Sequence, residues 1–258
     1  MTASQIRQLA QPGSDRYRFV WGASPTLMPA WTSLPASIRP ILSWYMPYSR
    51  DISPAECRLG SSGGGDCVKG RNISWYEAHQ RDWVLYQCDR TTPAFQYGDL
   101  NVPLDFTNPS VIEYQASLAM SARDAGYTAI AADNLAFENF AAFNACGVWR
   151  DDGRWEQIFS GEANDPRFAE ATVAWAERFR QLLQKKMRLV INFSTHPPAS
   201  GGSTALVLRL CNATDGILDE FGFVNIAAML PGGVAGWLDK VRWMQRLQSG
   251  GVAYYSNN

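Results

Sequence analysis

The chain has 258 residues, 46% of them apolar and 18% charged, which is material for one sizeable core. A formal net charge of −1 and a pI near 6.1 give no electrostatic case for nucleic acid or an anionic membrane as partner. No stretch reaches the roughly 18 apolar residues of a membrane span, so no span is expected.

Met1 to Arg18 is polar and lacks the basic-then-apolar layout of a signal peptide. The expected setting is secreted or periplasmic with the signal peptide absent from this chain, and a cytoplasmic protein is the alternative. Strand-like runs then alternate with helix-like runs. The strand candidates are Tyr17–Gly22, Pro40–Met46, Trp83–Gln87, Val102–Phe106, Thr128–Asp133, Arg188–Phe193, Gly216–Glu220 and Gly251–Tyr255. Asn108 and Pro109 read as the cap and first position of a helix that Gly126 stops. Asp165-Pro166 opens a second helix that runs to Lys185-Lys186, and Gly236–Gln248 forms a third.

Alternation along the whole length argues a parallel sheet, and eight strand candidates argue closure into a (β/α)8 TIM barrel. The chain stops just after its last strand candidate, so the closing helix or last strand is expected to be truncated. One domain, 1–258, is expected, with long loop insertions at 49–80 and 137–164.

Five cysteines, Cys57, Cys67, Cys88, Cys146 and Cys211, show no metal-ligand spacing. Cys57 and Cys67 flank a Gly/Ser-rich loop that a disulfide would close, and an odd count leaves a free thiol. Cys211, after an apolar run, reads as a small buried hydrophobe.

In a parallel barrel the strand C-termini open into the site. Alternation turns Ala129, Ala131 and Asp133 inward in one strand, and Gly216, Leu218 and Glu220 inward in another, with Ile217 and Asp219 opposite. Asp105 and Asn192 pass the same test, so three acids and an amide are expected to converge at the mouth. Asp133 and Glu220 rank first, because Asp105 has an alternative use as a cap for the helix beside it. Two carboxylates facing one cleft are the minimum equipment for hydrolysing a glycosidic bond. Trp21 ends the first strand. Trp44-Tyr45-Met46-Pro47-Tyr48-Ser49-Arg50-Asp51 follows the second with rings, hydroxyls, a cation and an acid. Rings stack on sugar faces and the polar groups grip hydroxyls; the plain alternative is a salt-bridged loop. His79 is a candidate near the site. Ser194 and His196 lack the nucleophile-elbow pattern of a serine hydrolase.

With these residues identified, the sequence resembles the hypothetical glycosyl hydrolase barrels related to endo-α-1,4-polygalactosaminidases. His79-Gln80-Arg81-Asp82-Trp83-Val84-Leu85-Tyr86 is similar to that group's H-P-D-W-hydrophobic segment. Leu104-Asp105-Phe106-Thr107-Asn108-Pro109 resembles its L-D-hydrophobic-T-N-P turn into a helix. Gly126 to Asn134 resembles G-(F/Y)-D-G-(I/V)-x-x-D-N, and Asp215 to Glu220 the later strand ending in Glu. Gln80-Arg81 stands where Pro is usual and Thr128-Ala129 where Asp-Gly is usual. The resemblance implies a TIM-barrel glycosidase with Asp133 and Glu220 as catalytic carboxylates. Trp21, Trp44, Tyr45, Tyr48, Arg50, Asp51, His79, Asp105, Asn134 and Asn192 are the expected substrate-binding residues. The expected partner is a carbohydrate substrate, with no cofactor and no metal. A catalytically inactive carbohydrate-binding barrel is the alternative.

Overall fold

A computed structural model describes residues 19–52, 71–95, 101–139, 144–193, 204–219 and 233–256. The described strands, in chain order, are β1 (Phe19–Val20), β2 (Ile41–Pro47), β3 (Arg50–Ile52), β4 (Tyr86–Gln87), β5 (Asn101–Pro103) and β6 (Ala129–Asp133). They continue with β7 (Ala145–Trp149), β8 (Trp155–Gln157), β9 (Arg188–Asn192), β10 (Gly216–Asp219) and β11 (Ala253–Ser256). The α-helices are α1 (Met28–Thr32), α2 (Ile73–His79), α3 (Pro109–Asp124), α4 (Pro166–Leu183), α5 (Thr204–Asn212) and α6 (Gly233–Ser249).

The two long helices start where the sequence dictates. Asn108 Oδ1 accepts the Ser110 N–H at 2.9 Å ahead of Pro109. Asp165 Oδ1 accepts the Arg167 N–H at 2.9 Å ahead of Pro166. In both, a side chain satisfies an orphan donor while proline occupies a position that needs none. Gly126, at φ +99, ends the turn after α3 in a conformation that side-chain-bearing residues resist. The end of α4 uses left-handed Gln184 and Lys185 instead.

The main sheet runs β1-β2-β6-β9-β10-β11, every neighbouring pair parallel. A helix lies in each connection: α1, α3, α4, α5 and α6 in turn. Crossovers of this kind are right-handed almost without exception, so an order that always advances puts every helix on one face. Burial follows that division. Leu42, Trp44, Met46, Ile130, Ala132, Leu189, Ile191 and Ile217 pack with helix residues such as Ile112, Phe168, Trp175, Phe179 and Leu210 in one core. Their alternates Ser43, Tyr45, Ala129, Ala131, Val190 and Leu218 are also buried but lie outside that core.

The second face is covered because the sheet curls. Six flat strands would hold their outer edges about 24 Å apart at the usual spacing. Instead Phe19 of β1 and Tyr255 of β11 stack with ring centroids 4.8 Å apart. The fold is therefore a curled, singly wound parallel α/β sheet of six described strands.

Two expectations need correction. Trp83–Gln87 and Val102–Phe106 contain strands, but these pair antiparallel outside the curled sheet: β4 with β7, and β5 with β3. Of their apolar residues, Val84, Tyr86, Val102 and Leu104 are buried in a satellite core with Tyr76 of α2 and Val111, while Leu85 and Phe106 join the helix-side core. The sequence reading also missed the β7–β8 hairpin. Only glycine fits at position 147 there, since a Cβ would lie 2.2 Å from the Glu156 carbonyl. Cys88 and Cys146 form a disulfide that ties this small sheet together. Cys57 and Cys67, the expected pair, lie outside the described residues. Cys211 is buried and free, as its apolar setting suggests, and burial pushes its thiol up to about 12.

On the helix side of β10, Asp219 forms an ion pair with Lys240 of α6, both fully buried. Among the described residues no helix is long and apolar enough to cross a membrane.

Two stability outcomes follow from these links. Cys146→Ser frees a bridge spanning 58 residues and should cost about 4 kcal/mol in urea unfolding; an unchanged midpoint would refute the bridge's contribution. Lys240→Met leaves a buried carboxylate without its cation and should cost about 3–5 kcal/mol, most of it recovered by adding Asp219→Leu. A double variant no more stable than the single one would contradict this pairing.

Candidate active site

β6 alternates small residues and carries its carboxylate at the last position: Ala129, Ala131 and Asp133 share the concave face. The register sets Asp133 beside Pro47 of β2 and, one step on from Ala132↔Ile191, beside Asn192 of β9. Three donors converge on this half-buried carboxylate. Asn192 Nδ2 donates to Oδ1 at 2.8 Å, the Asn134 N–H donates to Oδ1 at 2.9 Å, and the Tyr45 hydroxyl donates to Oδ2 at 2.7 Å. Asn134 sits in the left-handed region at φ 61, a conformation asparagine tolerates far better than branched residues, and this tight turn carries its N–H back to the carboxylate.

A row of rings leads to this point across the curl. Tyr255 stacks on Phe19, Phe19 lies 6.1 Å from Trp21, and Trp21 meets Tyr45 edge-on at 6.5 Å. Ser43, two residues before Tyr45 on the same face, pins the row's backbone to β2. Its hydroxyl donates to the Val20 carbonyl at 2.6 Å and accepts the Gly22 N–H at 3.0 Å.

Of the expected substrate-binding residues, Trp21, Tyr45, Asn134 and Asn192 thus gather at Asp133. Others do not. With Tyr45 facing inward, alternation turns Trp44 outward, where it is 4% exposed in the helix-side core. Tyr48 follows the end of β2 and enters the same core against Phe106 and Trp175, its hydroxyl 3.3 Å from that of Thr172. Burial pushes its ionisation up. Arg50 is buried in β3. Asp51 accepts the Tyr76 hydroxyl at 2.6 Å and the Tyr114 hydroxyl at 3.4 Å, so it serves the satellite core. Burial first, and the Asp51 charge second, hold Tyr76 protonated well above the ordinary tyrosine range. His79 lies on the exposed side of α2, stacked on Trp75 at 4.6 Å. Glu220, Ser194 and His196 lie outside the described residues.

Asp105 is fully buried rather than open to the mouth. Oδ1 accepts the Thr107 N–H at 3.0 Å and its hydroxyl at 2.5 Å, while Oδ2 is buried without a hydrogen-bond partner. Burial therefore raises its pKa, against the pull of the Thr107 donors. Asp82 is raised too, by burial first and by Asp151 second.

Phe19 and Tyr255 were not among the expected site residues. Phe19 was legible, since it precedes Trp21 by two and shares its face. Tyr255 belongs to the opposite sheet edge, and only the curl brings it near. Among the described residues no group of His, Cys, Asp or Glu could hold a metal ion. An open apolar groove of about 650 Å³ lies on the outer helix layer, floored by Phe106, Ile112 and Trp175, and includes none of the residues around Asp133.

No family model matches the chain, and no curated protein matches it in sequence. Solved structures align at low similarity. An α-galactosidase from Thermus thermophilus, in complex with p-nitrophenyl α-D-galactopyranoside, aligns at 17% identity and a TM-score of 0.33, over 67% of this chain and 25% of that one. The glycoside hydrolase domain of PelA from Pseudomonas aeruginosa aligns at 11% identity and a TM-score of 0.44, over 90% and 71%. A maltogenic α-amylase, AmyB, from Thermotoga neapolitana aligns at 12% identity and a TM-score of 0.40, over 70% and 33%. All three are glycoside hydrolases. The chain spans about a quarter of the α-galactosidase's length.

The Asp105 environment gives a pH-dependent outcome. Folding raises this carboxyl's pKa, so its contribution to stability is fully present below the unfolded value and is lost as pH rises through the folded one. Asp105→Asn keeps an acceptor for Thr107 and removes the charge. Its stability relative to wild type should therefore improve as pH rises from about 4 to about 7. A constant difference across that range, in parallel thermal melts, would rule the mechanism out.

Proposed function

We propose that this protein is an O-glycosidase that cleaves a polysaccharide or oligosaccharide, with Asp133 and Glu220 as its carboxylate pair. The observation that carries the reading is the convergence of three donors on Asp133, at the C-terminal end of a strand in a curled parallel sheet, with a row of rings beside it. In barrels that end of the strands bears the chemistry. Donors to both oxygens stabilise the charged carboxylate, which suits a nucleophile or general base. The rings suit the apolar faces of sugars.

Glu220 follows Asp219 directly, next but one after inward-facing Leu218, and the resemblance of Asp215–Glu220 to a strand ending in Glu supports its role as general acid. In the reaction, the acid gives its proton to the leaving oxygen as the glycosidic C–O bond breaks. Asp133 either bonds to the anomeric carbon or takes a proton from the attacking water. A carboxyl separation of about 5–5.5 Å would mean retention, and about 6.5–9.5 Å inversion. A full (β/α)8 barrel is the fold proposed for the whole enzyme, and kinship with the polygalactosaminidase-like group is the family proposed. The Cys88–Cys146 bridge supports a secreted or periplasmic setting.

The test is reducing-end release from a panel of polysaccharides that includes galactosaminoglycans. Wild type should release ends, and Asp133→Asn and Glu220→Gln should each lose at least about a hundredfold in kcat. Binding to a polysaccharide without release from any would replace the glycosidase with an inactive carbohydrate-binding barrel.

A further inference from the structure

The hydrogen bonds around Asp133 are unevenly shared between its two oxygens. A carboxylate offers about four lone-pair directions, two on each oxygen. Oδ1 accepts from both Asn192 Nδ2 and the Asn134 N–H, which fills its capacity. Among the described residues Oδ2 accepts from the Tyr45 hydroxyl alone, which leaves one of its two directions for chemistry.

Tyr45 is not a loosely placed donor. The residue is 6% exposed, and its ring lies edge-on to Trp21 at an interplanar angle of 75°. Trp21 in turn neighbours Phe19, which stacks on Tyr255 from the far edge of the sheet. The Ser43 hydroxyl fastens the strand carrying Phe19 to the strand carrying Tyr45 through its bonds to Val20 and Gly22. Curling the sheet therefore presses a braced row of rings against Tyr45, and the hydroxyl at its end meets Oδ2.

We propose that Tyr45 is a positioning residue: braced by Trp21 and the Phe19–Tyr255 stack, its hydroxyl orients Asp133 so that Oδ2 is the oxygen that engages the reacting centre. The proposal deepens the glycosidase reading and rests on it for what Oδ2 does. The Tyr45 hydroxyl stabilises the carboxylate charge and fixes the plane of the group, while the Oδ1 donors hold the other oxygen out of the reaction. Preorganisation of this kind acts on turnover more than on substrate affinity.

The experiment pairs a substrate-free measurement with kinetics. The Asp133 carboxyl carbon is observed by carbon-13 NMR at one fixed pH in wild type, Tyr45→Phe and Trp21→Leu, with Asp133→Asn identifying its resonance. Losing the Tyr45 donor should displace that resonance in Tyr45→Phe. Trp21→Leu should displace it the same way by less, although Trp21 donates nothing to Asp133. With a substrate from the panel, Tyr45→Phe should lower kcat about tenfold and leave KM within about twofold. An Asp133 resonance unmoved in Tyr45→Phe overturns the proposal, and one moved by Tyr45→Phe but not by Trp21→Leu overturns the bracing. If the wild type releases no ends from any polysaccharide, the glycosidase reading falls, and Oδ2's role in turnover falls with it. The substrate-free NMR comparison still decides whether Tyr45 controls Asp133.

Discussion

A parallel sheet with all its helices on one side must bury its other face against itself. Here the strand order β1-β2-β6-β9-β10-β11 never reverses, and each connection carries a helix. Curling is the solution that needs no further layer, and the 4.8 Å stack of Phe19 on Tyr255 is its direct sign. The interior residues follow from the curvature. The concave face sets small residues beside large ones: Ala131 pairs with Tyr45 across the strands, and Ala129 with Ser43. Asp133 stands at the C-terminal end of this face, where Asn192 and Tyr45 reach it. The curvature that buries the second face thus also brings these polar groups together.

Three acids at or just beyond strand ends, Asp133, Asp219 and Asp105, show how little residue type decides alone. Asp133 is half-buried and meets three donors, so its charge is supported while part of it stays open. Asp219, on the opposite face of β10, is closed off and faces the Lys240 ammonium. Asp105 is closed off as well, but one of its oxygens has no partner and burial favours its neutral form. Of the three, only Asp133 combines a supported charge with access. The geometry thus favours it for the reason that disfavours Asp105.

Period-2 alternation carried most of what was legible in advance. It put Asp133 and Asn192 inward and Asp219 opposite Leu218, because each sits in a strand whose two faces are both buried; that Asn192 lies at the level of Asp133 is set by the register of β6 on β9. The helix starts at Asn108-Pro109 and Asp165-Pro166 were legible because capping is local chemistry. The failures came where the pattern stops being local. Trp83–Gln87 and Val102–Phe106 carry apolar runs as good as those of the curled sheet, yet their partners are β7 and β3, and no local feature of the runs distinguishes the two destinations. Cys88 and Cys146 likewise meet only because β4 pairs with β7. The Trp44–Asp51 segment looked like one cluster of sugar-binding groups, but it crosses the end of β2, a turn and the start of β3. Its members therefore point into three different environments.

Tyr45 illustrates the remaining step from sequence to site. Its inward direction follows from alternation, but its task depends on height. It sits two residues below the level of Asp133, at the level of Ala131. A side chain there must be long enough to climb one pleat and end in a donor. Phenylalanine would fill the same space and leave Oδ2 without that bond. Leucine would also open the edge contact with Trp21. A tyrosine's length, ring and hydroxyl are each used once: the length to reach, the ring to be braced, the hydroxyl to bind the carboxylate. Alanine at positions 129 and 131 gives that ring its room. The small residues of β6 and the large one of β2 are thus two halves of one arrangement, and Asp133 stands where they meet.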